Sequence, residues 1–153
     1  MIKIKKGSTA DTRTCDWSIV TKEQLLESSK SHIDDIQDGL HFFAEELRLI
    51  GKYHDFDKIT AIDHFHEDFK TGFEQTGWWD NHRKVNRHHL NSDDGVPDDV
   101  NLLDVLEFIT DCVMAGMARK GEVYPLEISD EILKKAFNNT VDLLKNEIKV
   151  VDE

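Results

Sequence analysis

The sequence contains little cysteine and has no long apolar run. Two of its 153 residues are cysteine, Cys15 and Cys112, and two cysteines are too few for a disulfide framework or a cysteine-rich zinc module. No apolar segment approaches the roughly 18–20 residues that a membrane span requires. The basic residues at the start are not followed by an apolar segment, so we expect no cleaved secretion signal. We therefore expect a protein of the reducing cytoplasm.

Basic residues are also scarce. Lysine and arginine number 19 against 31 aspartate and glutamate residues, which gives a formal net charge of −12. Such a chain lacks the positive surface that drives nucleic-acid binding by counterion release, and it is repelled by anionic membrane surfaces. We therefore expect neither a nucleic-acid polymer nor a membrane as a partner. Self-association stays open.

Histidine, in contrast, is abundant and clustered. Six of the eight histidines fall within 36 consecutive positions: His54, His64, His66, His82, His88 and His89. An acidic, histidine-rich chain with few cysteines is typical of a protein that holds divalent metal through imidazole and carboxylate groups. Ligands of this kind without thiolate favour Mn, Fe, Co or Ni over structural zinc, and Mg is also compatible with them.

Helical periodicity dominates the chain. Thr21 and Gln24 form the pattern of a capping box, and it opens a long helix that we expect to end near Gly51. The apolar stripe of this helix consists of Leu26, Ile33, Ile36, Leu40, Phe43, Leu47 and Ile50. Further helices are predicted over about 59–73, 78–88, 98–118 and 129–148.

These segments predict an all-α fold, a compact single-domain bundle of about five to six helices. We expect the domain to cover residues 21–150 and to follow a short irregular extension, residues 1–20, with a candidate strand at residues 2–6. In the helix over 98–118, the spacing predicts a core face made of Leu102, Leu106, Ile109, Val113 and Met117. An acidic stripe of Asp104, Glu107 and Asp111 lies opposite that face, and it either meets solvent or lines a polar site.

Several histidines stand where they could converge on a metal ion. His54 and Asp55 are adjacent just after the long helix, where a bend lets both reach one cation, and Lys58 follows three positions later. His82 and His89 are seven residues apart, about two helical turns, and therefore share a face. His88 lies beside them. His32 borders the apolar stripe of the first long helix, so we expect it to be partly buried.

The order of these residues resembles the H…HD…D signature of the HD-domain metal-dependent phosphohydrolases. His32, the pair His54-Asp55 and Asp111 carry that resemblance, and His54-Asp55-Phe56-Asp57-Lys58 resembles the HDxGK form of the motif with Asp57 at the glycine position. Within the superfamily, the chain is most similar to a small phage and bacterial group with the pattern HDxSK…HxxxNxHH. The corresponding string here is His82-Arg-Lys-Val-Asn86-Arg-His88-His89.

The resemblance implies an HD-type helical domain that binds one or, more in keeping with the histidine count, two divalent ions. The implied metal ligands are His32, His54, Asp55, His82, His88, His89 and Asp111, and the resemblance favours Asp111 over Asp104. Asp55 would bridge the ions, Lys58 would hold the phosphate, Asn86 would orient a ligand or the substrate, and Arg87 would assist in substrate binding. No GYP element follows the histidine pair, which argues against a cyclic-dinucleotide phosphodiesterase.

The implied activity is hydrolysis of a nucleotide or a similar small phosphate ester by metal-activated water, with monoester and diester cleavage both open. Two alternatives remain at this point. One is an HD-type diiron oxygenase, since some HD proteins use the same ligands to activate oxygen. The other is a non-catalytic, metal-stabilised protein that binds a nucleotide.

Overall fold

The computed structural model describes residues 1–6, 16–91 and 95–152. Over these ranges the chain is predominantly helical, which confirms the predicted all-α class. Its elements in chain order are β1 (Ile2–Lys5), α1 (Lys22–Tyr53), α2 (Asp57–Thr60), α3 (Ile62–Lys70), α4 (Trp78–Val85), α5 (Leu102–Lys120), α6 (Asp130–Glu147) and β2 (Ile148–Val151). Helix α2 is a single turn. In the part of the chain that the structure describes, no helix is long and apolar enough to cross a membrane.

The chain divides into two units by residue contacts. The first unit joins residues 1–45 to residues 142–153, and the second unit comprises residues 46–141. The first unit is therefore discontinuous in sequence and the second is continuous. The expected boundary between an extension over 1–20 and one domain over 21–150 stays a prediction.

A two-stranded parallel sheet belongs to the first unit. Strands β1 and β2 pair with Ile2 opposite Ile148 and Lys5 opposite Val151, and the amino group of Met1 lies 3.1 Å from a carboxylate oxygen of Glu147. Strand β1 lies within the candidate strand over residues 2–6. Strand β2 was not predicted, because the helical spacing of apolar residues in α6 continues to Ile148.

Helix α1 begins with the predicted capping box. The Thr21 backbone N–H donates to Gln24 Oε1 at 3.0 Å, and the Gln24 backbone N–H donates to Thr21 Oγ1 at 3.2 Å. The helix continues past Gly51 to Tyr53. Reciprocal hydrogen bonds of this kind satisfy backbone donors that the first turn leaves unpaired.

The first half of the apolar stripe on α1 does not enter a core. Its side chains are all more than half exposed: Leu26 53%, Ile33 53%, Ile36 51% and Leu40 63%. His32 is exposed as well, so the expectation that it is partly buried is wrong. The side of α1 that approaches α6 carries Gly39 instead, where a Cβ would lie 3.9 Å from Leu144 Cδ1.

The hydrophobic core lies in the second unit. It is built from the buried residues Leu90, Val100, Val105, Phe108, Cys112 and Ala136. Polar side chains of α6 fasten the segment before α5 to this core. The Asn139 amide donates to the Val100 carbonyl at 2.8 Å, and the Leu102 backbone N–H donates to Thr140 Oγ1 at 2.8 Å.

The predicted core face of α5 is wrong for most of its members. Leu106, Ile109 and Met117 are exposed, whereas Leu102 and Val113 are partly buried. The buried face consists of Leu103, Asp104, Val105, Phe108, Cys112 and Gly116. The helix turns its acidic stripe inward because those carboxylates have basic partners inside the unit, and the exposed apolar residues face the other way.

The connection from α3 to α4 places His82, the one histidine of α4. The buried carboxylate of Asp68 accepts backbone N–H bonds from Thr76 at 2.9 Å and Trp79 at 3.1 Å, and Phe65 stacks on Trp78 with ring centroids 4.3 Å apart. Helix α4 ends at Val85, earlier than the predicted 88, because the backbone of Asn86 is extended.

Candidate metal centre

Four segments of the second unit meet at a cluster of histidines and carboxylates. They are the turn between α1 and α2 together with the start of α2, helix α4, the segment that follows α4, and the middle of α5. Their side chains at this place are His54, Asp55, Asp57, Lys58, His82, Asn86, His88, His89, Glu107 and Asp111. Together they define the candidate metal centre.

Asp55 lies at the middle of this cluster. Its backbone has a positive φ of 52°, a region that few residues other than glycine adopt but that aspartate tolerates better than most. The Asp55 carbonyl accepts the backbone N–H of Lys58 at 2.9 Å and so opens the turn of α2. Unusual backbone conformations of this kind concentrate at functional sites.

The two oxygens of Asp55 face three imidazoles. Oδ1 lies 3.4 Å from His82 Nε2 and 3.5 Å from His88 Nε2, and Oδ2 lies 3.6 Å from His54 Nε2. In each case it is the Nε2 atom that points at the carboxylate. Asp55 is thus shared by histidines from different segments.

Two groups of side chains have the composition and spacing of metal-ligand sets. The first group is His54, His88 and Asp111, and the second group is Asp55, His82 and His89; within each group the ligand atoms lie within 4.8 Å of one another. In the first group, Asp111 oxygens are 3.7 Å from His54 Nε2 and 3.9 Å from His88 Nε2. Two donors that are each about 2.1 Å from one ion lie at most about 4.2 Å apart, so these distances fit a shared ion.

Buried polar atoms without hydrogen-bond partners give an independent test of that fit. Within the described residues, Asp55 Oδ1, His82 Nε2, His88 Nδ1, His88 Nε2 and His89 Nε2 are buried and accept or donate no hydrogen bond. A buried polar atom without a partner costs about 1–3 kcal/mol, and native proteins retain few of them. Four of these five atoms, all except His88 Nδ1, are donor atoms that an ion would satisfy, so the residues present fit divalent metal.

Two further carboxylates contact the histidines at Nδ1, the ring nitrogen that does not face Asp55. Glu107 Oε1 lies 2.9 Å from His54 Nδ1 and 3.2 Å from His88 Nδ1. The Nδ1–H of His82 donates to Asp57 Oδ2 at 2.8 Å. Burial would raise the pKa of Glu107, but its contacts with His54 and His88 outweigh burial and lower the pKa to about 2. The carboxylate therefore keeps its charge.

The surroundings of His54 favour a positive charge, whereas those of His89 favour the neutral imidazole. Asp111 and then Glu107 raise the pKa of His54 to about 10, which shows that negative charge there stabilises a cation. Burial, followed by the neighbouring His88 and His82, lowers the pKa of His89 to about 4. A metal-ligating imidazole must be neutral, and His89 meets that condition.

Lys58 and Trp79 border the centre. The Lys58 ammonium forms an ion pair with Asp55 Oδ2 and lies 5.9 Å from the centroid of the Trp79 ring. Trp79 stacks on His82 with ring centroids 5.1 Å apart. Lys58 is only partly buried, so its charge is available beside the carboxylate.

Arg87 has a different environment from the one expected. Its guanidinium donates to both carboxylate oxygens of Asp104 at 2.8 and 2.9 Å and to Asp99 at 2.8 Å. Asp104 also accepts the Asn101 backbone N–H as part of the capping box of α5. Of the two aspartates left as alternatives by the sequence, Asp111 belongs to a candidate ligand group and Asp104 is paired with Arg87. Substrate binding by Arg87 stays a prediction.

The other sequence-predicted residues divide into two sets. The structure brings His54, Asp55, Lys58, His82, Asn86, His88, His89 and Asp111 together in the second unit. His32 is an exposed residue of α1 in the first unit and belongs to neither ligand group, and its role as a ligand stays a prediction. His64 and His66, which were not expected to be ligands, are exposed on α3.

Sequence reasoning missed two members of the cluster. Asp57 was noted only as a departure from the HDxGK pattern, and Glu107 only as part of the acidic stripe. Each had a usable signal, since Asp57 is two residues after Asp55 and Glu107 is one helical turn before Asp111. Neither signal shows which histidine the carboxylate will contact. His82 lies 25 residues from Asp57, and His54 lies 53 residues from Glu107. The other partner of Glu107, His88, lies in a separate segment.

Comparison of the chain with protein-family models, with curated protein sequences and with solved structures gives no match. The fold and the cluster by themselves define the class: an all-α protein with a histidine–carboxylate centre that could hold metal.

Proposed function

We propose that this protein is a metal-dependent phosphohydrolase of the HD type that acts on a nucleotide or a similar small phosphate ester. The observation that supports it most is the position of Asp55, whose Oδ1 lies within 3.5 Å of two unpaired Nε2 atoms from different ligand groups. One carboxylate shared by two groups suits a dinuclear site. The resemblance to the H…HD…D signature supplies the reaction type.

The charge of the protein makes metal necessary for this chemistry. The chain carries a net charge of −12, and carboxylates surround the cluster, so a phosphate ester would be repelled from the bare site. Divalent ions held there supply positive charge that polarises a phosphoryl oxygen and lowers the pKa of a water molecule. Mn, Fe, Co and Ni are the proposed ions, with Mg as a further candidate.

The protein residues have separate tasks in this proposal. Asp55 would be a ligand that both ion sites share, because its carboxylate faces histidines of both groups. Lys58 contributes a cationic donor at the edge of the centre, where a phosphate oxygen would accept from it. Asn86 donates to Asp57 at 3.1 Å and to the His82 carbonyl at 2.9 Å, so it supports the position of His82.

The proposed substrate is a free small molecule met in the cytoplasm. A nucleic-acid polymer or an anionic membrane is not proposed, because a net charge of −12 opposes both.

The test combines metal analysis with a substrate panel. Purified protein is reconstituted separately with Mn²⁺, Fe²⁺, Co²⁺ and Ni²⁺, its metal content is measured, and each form is assayed on phosphate monoesters and diesters that include nucleotides. We expect about two equivalents of metal and turnover with at least one substrate class. Asp55→Asn should lose metal and activity, whereas the matched variant Asp63→Asn, at an exposed position on α3, should retain both.

Each contrary result has a definite meaning. Absence of bound metal after reconstitution overturns the proposal. Tight nucleotide binding without turnover favours the non-catalytic alternative, and oxygen consumption by the iron form favours the oxygenase. The resemblance predicts that His32→Ala loses metal, and unchanged metal content in that variant excludes His32 as a ligand.

A further inference from the structure

The carboxylates behind the histidines are divided between the two ligand groups. Glu107 Oε1 accepts a hydrogen bond from Nδ1 of His54 at 2.9 Å. It also lies 3.2 Å from Nδ1 of His88, at ion-pair distance but without a hydrogen bond. Both histidines belong to the first group. Asp57 contacts Nδ1 of His82, which belongs to the second group. In the described part of the chain, the histidine contacts of each carboxylate are confined to its own group. Each ligand group therefore has its own supporting carboxylate.

For His54 and His82, the hydrogen bond to a carboxylate determines which nitrogen can bind metal. A neutral imidazole has one N–H and one lone pair, and the hydrogen bond made by one nitrogen fixes the role of the other. When Nδ1 donates to a carboxylate, Nε2 carries the lone pair. The Nε2 atoms of His54, His82 and His88 are those that face Asp55.

The two carboxylates are themselves held in place by different means. Asp57 accepts from the Asn86 amide at 3.1 Å as well as from His82 at 2.8 Å. Glu107 is one turn before Asp111 on α5, so the helix itself fixes its distance from a ligand of the first group. Loss of one carboxylate leaves the support of the other intact.

We infer that Asp57 and Glu107 are positioning residues, each of which controls the affinity of one of two metal ions. Glu107 supports the ion of His54, His88 and Asp111, and Asp57 supports the ion of Asp55, His82 and His89. The two ions can then be removed one at a time by changing residues that touch neither ion. This inference rests on the dinuclear centre of the proposed function.

The test measures metal binding and requires no substrate. Co²⁺ is titrated into metal-free wild type, Asp57→Asn and Glu107→Gln by calorimetry, and the visible spectrum of the bound Co²⁺ is followed. Changes in groups that support metal ligands typically weaken binding by about 10–100-fold. We expect each single variant to retain one tight site and weaken the other by that factor, with different residual spectra. The double variant should lose both tight sites.

Matched variants separate this effect from general damage. Asp63→Asn and Glu67→Gln change exposed carboxylates of α3 and should bind two ions like wild type. Asn86→Ala removes the anchor of Asp57 and should weaken the same site as Asp57→Asn. If Glu107→Gln does not fold, Glu107→Asp replaces it with the same expectation.

The failure of this inference differs from the failure of the proposed function. Wild type that binds no Co²⁺ refutes the metal centre. Wild type that binds two ions, with both variants binding two at unchanged affinity or losing both sites equally, leaves the metal centre standing and refutes the division between Asp57 and Glu107.

Discussion

At the residue scale, Asp55 combines a functional position with an unfavourable backbone. For a residue with a Cβ, a φ of 52° is about 1–2 kcal/mol less favourable than the right-handed region. Glycine adopts this conformation without that penalty. The carboxylate is therefore kept at a place where a different residue would suit the chain better.

The strain at Asp55 can be measured with two truncations. Asp55→Gly and Asp55→Ala both remove the carboxylate and its ion pair with Lys58, but only alanine keeps a Cβ. We expect the glycine variant to be more stable than the alanine variant by about 1 kcal/mol, measured by urea unfolding of the metal-free proteins. If the two variants are equally stable, or if Asp55→Ala is the more stable one, the backbone at this turn is not strained.

The proposed function assigns Lys58 to the phosphate and not to the metal, and a variant can test these two roles separately. Lys58→Met keeps the length of the side chain but removes the charge, and Lys58 belongs to neither ligand group. We expect the metal content to be retained and KM for the phosphate ester to rise roughly 10-fold or more, since a charge-assisted hydrogen bond contributes about 1.5–3 kcal/mol. Steady-state kinetics of Lys58→Met are compared with those of the control variant Lys70→Met, which changes an exposed lysine at the end of α3. An unchanged KM would remove Lys58 from the substrate site.

At the element scale, α5 depends on a close approach at one glycine. A Cβ on Gly116 would lie 2.4 Å from the Glu122 carbonyl oxygen and 2.5 Å from the Tyr124 backbone nitrogen. The Tyr124 backbone N–H donates to the Cys112 carbonyl at 3.3 Å, so the segment after α5 folds back on the helix where it has no side chain. Both close atoms belong to the backbone and cannot rotate away.

Gly116→Ala should therefore destabilise the protein although alanine is the better helix former. We expect a loss of about 1–3 kcal/mol by urea unfolding. Gly51→Ala is the matched control, because a Cβ there has nothing within 4 Å, and it should be neutral or stabilising by up to about 1 kcal/mol. Similar effects at the two positions would contradict the close approach.

The connection between α3 and α4 depends on the ionised form of Asp68. Burial would raise the pKa of this carboxyl, but the backbone N–H groups of Thr76 and Trp79 outweigh burial and lower it. A lowered pKa in the folded state means that the stabilisation is present above the unfolded value of about 3.9 and is lost as pH falls through the folded value.

Asp68→Asn should accordingly lower the midpoint of thermal unfolding at pH 7. The difference between this variant and wild type should shrink as the pH falls below about 4. Thermal unfolding followed by circular dichroism measures this difference in midpoint between pH 7 and pH values below 4. The variant Glu67→Asn, which changes the exposed neighbour of Asp68, serves as the comparison. A difference that does not vary with pH would indicate that the charge of Asp68 has no part in its role.

At the scale of the whole molecule, the net charge bears on the proposed metal binding. A chain with a net charge of −12 repels itself in the compact state, and the histidine–carboxylate centre adds local negative charge. A ligand that binds only the folded form adds about 4 kcal/mol when its concentration is 1,000 times Kd. The metal of the proposed function should therefore also stabilise the folded protein.

The proposed metal binding predicts a specific effect of divalent ions on thermal stability. Addition of Mn²⁺ should raise the midpoint of unfolding well beyond the effect of NaCl at equal ionic strength, because screening alone acts on exposed charges. Asp55→Asn should respond to Mn²⁺ and NaCl alike. Equal responses in wild type would show that Mn²⁺ acts only by screening.

The sequence predicted those features that depend on neighbouring residues. The Thr21 and Gln24 box, a last helix that begins near residue 129 and the all-α class follow from local patterns, and each is present. The buried face of α5 was predicted wrongly, since spacing shows that a face exists but does not show which side has partners. The contacts of Asp57 and Glu107, and the pairing of β1 with β2, depend on residues far apart in sequence.

The division of the chain into a continuous and an interrupted unit has a consequence for synthesis on the ribosome. Residues 46–141 can make all their mutual contacts as soon as they have emerged, so the histidine–carboxylate cluster can assemble before the rest is translated. Strand β1 emerges before β2 and must wait for it, because each residue of β1 pairs with a residue 146 positions later, as Ile2 does with Ile148. Its alternating Lys3 and Lys5 are exposed, and charges on an unpaired strand discourage pairing with other nascent chains during that delay.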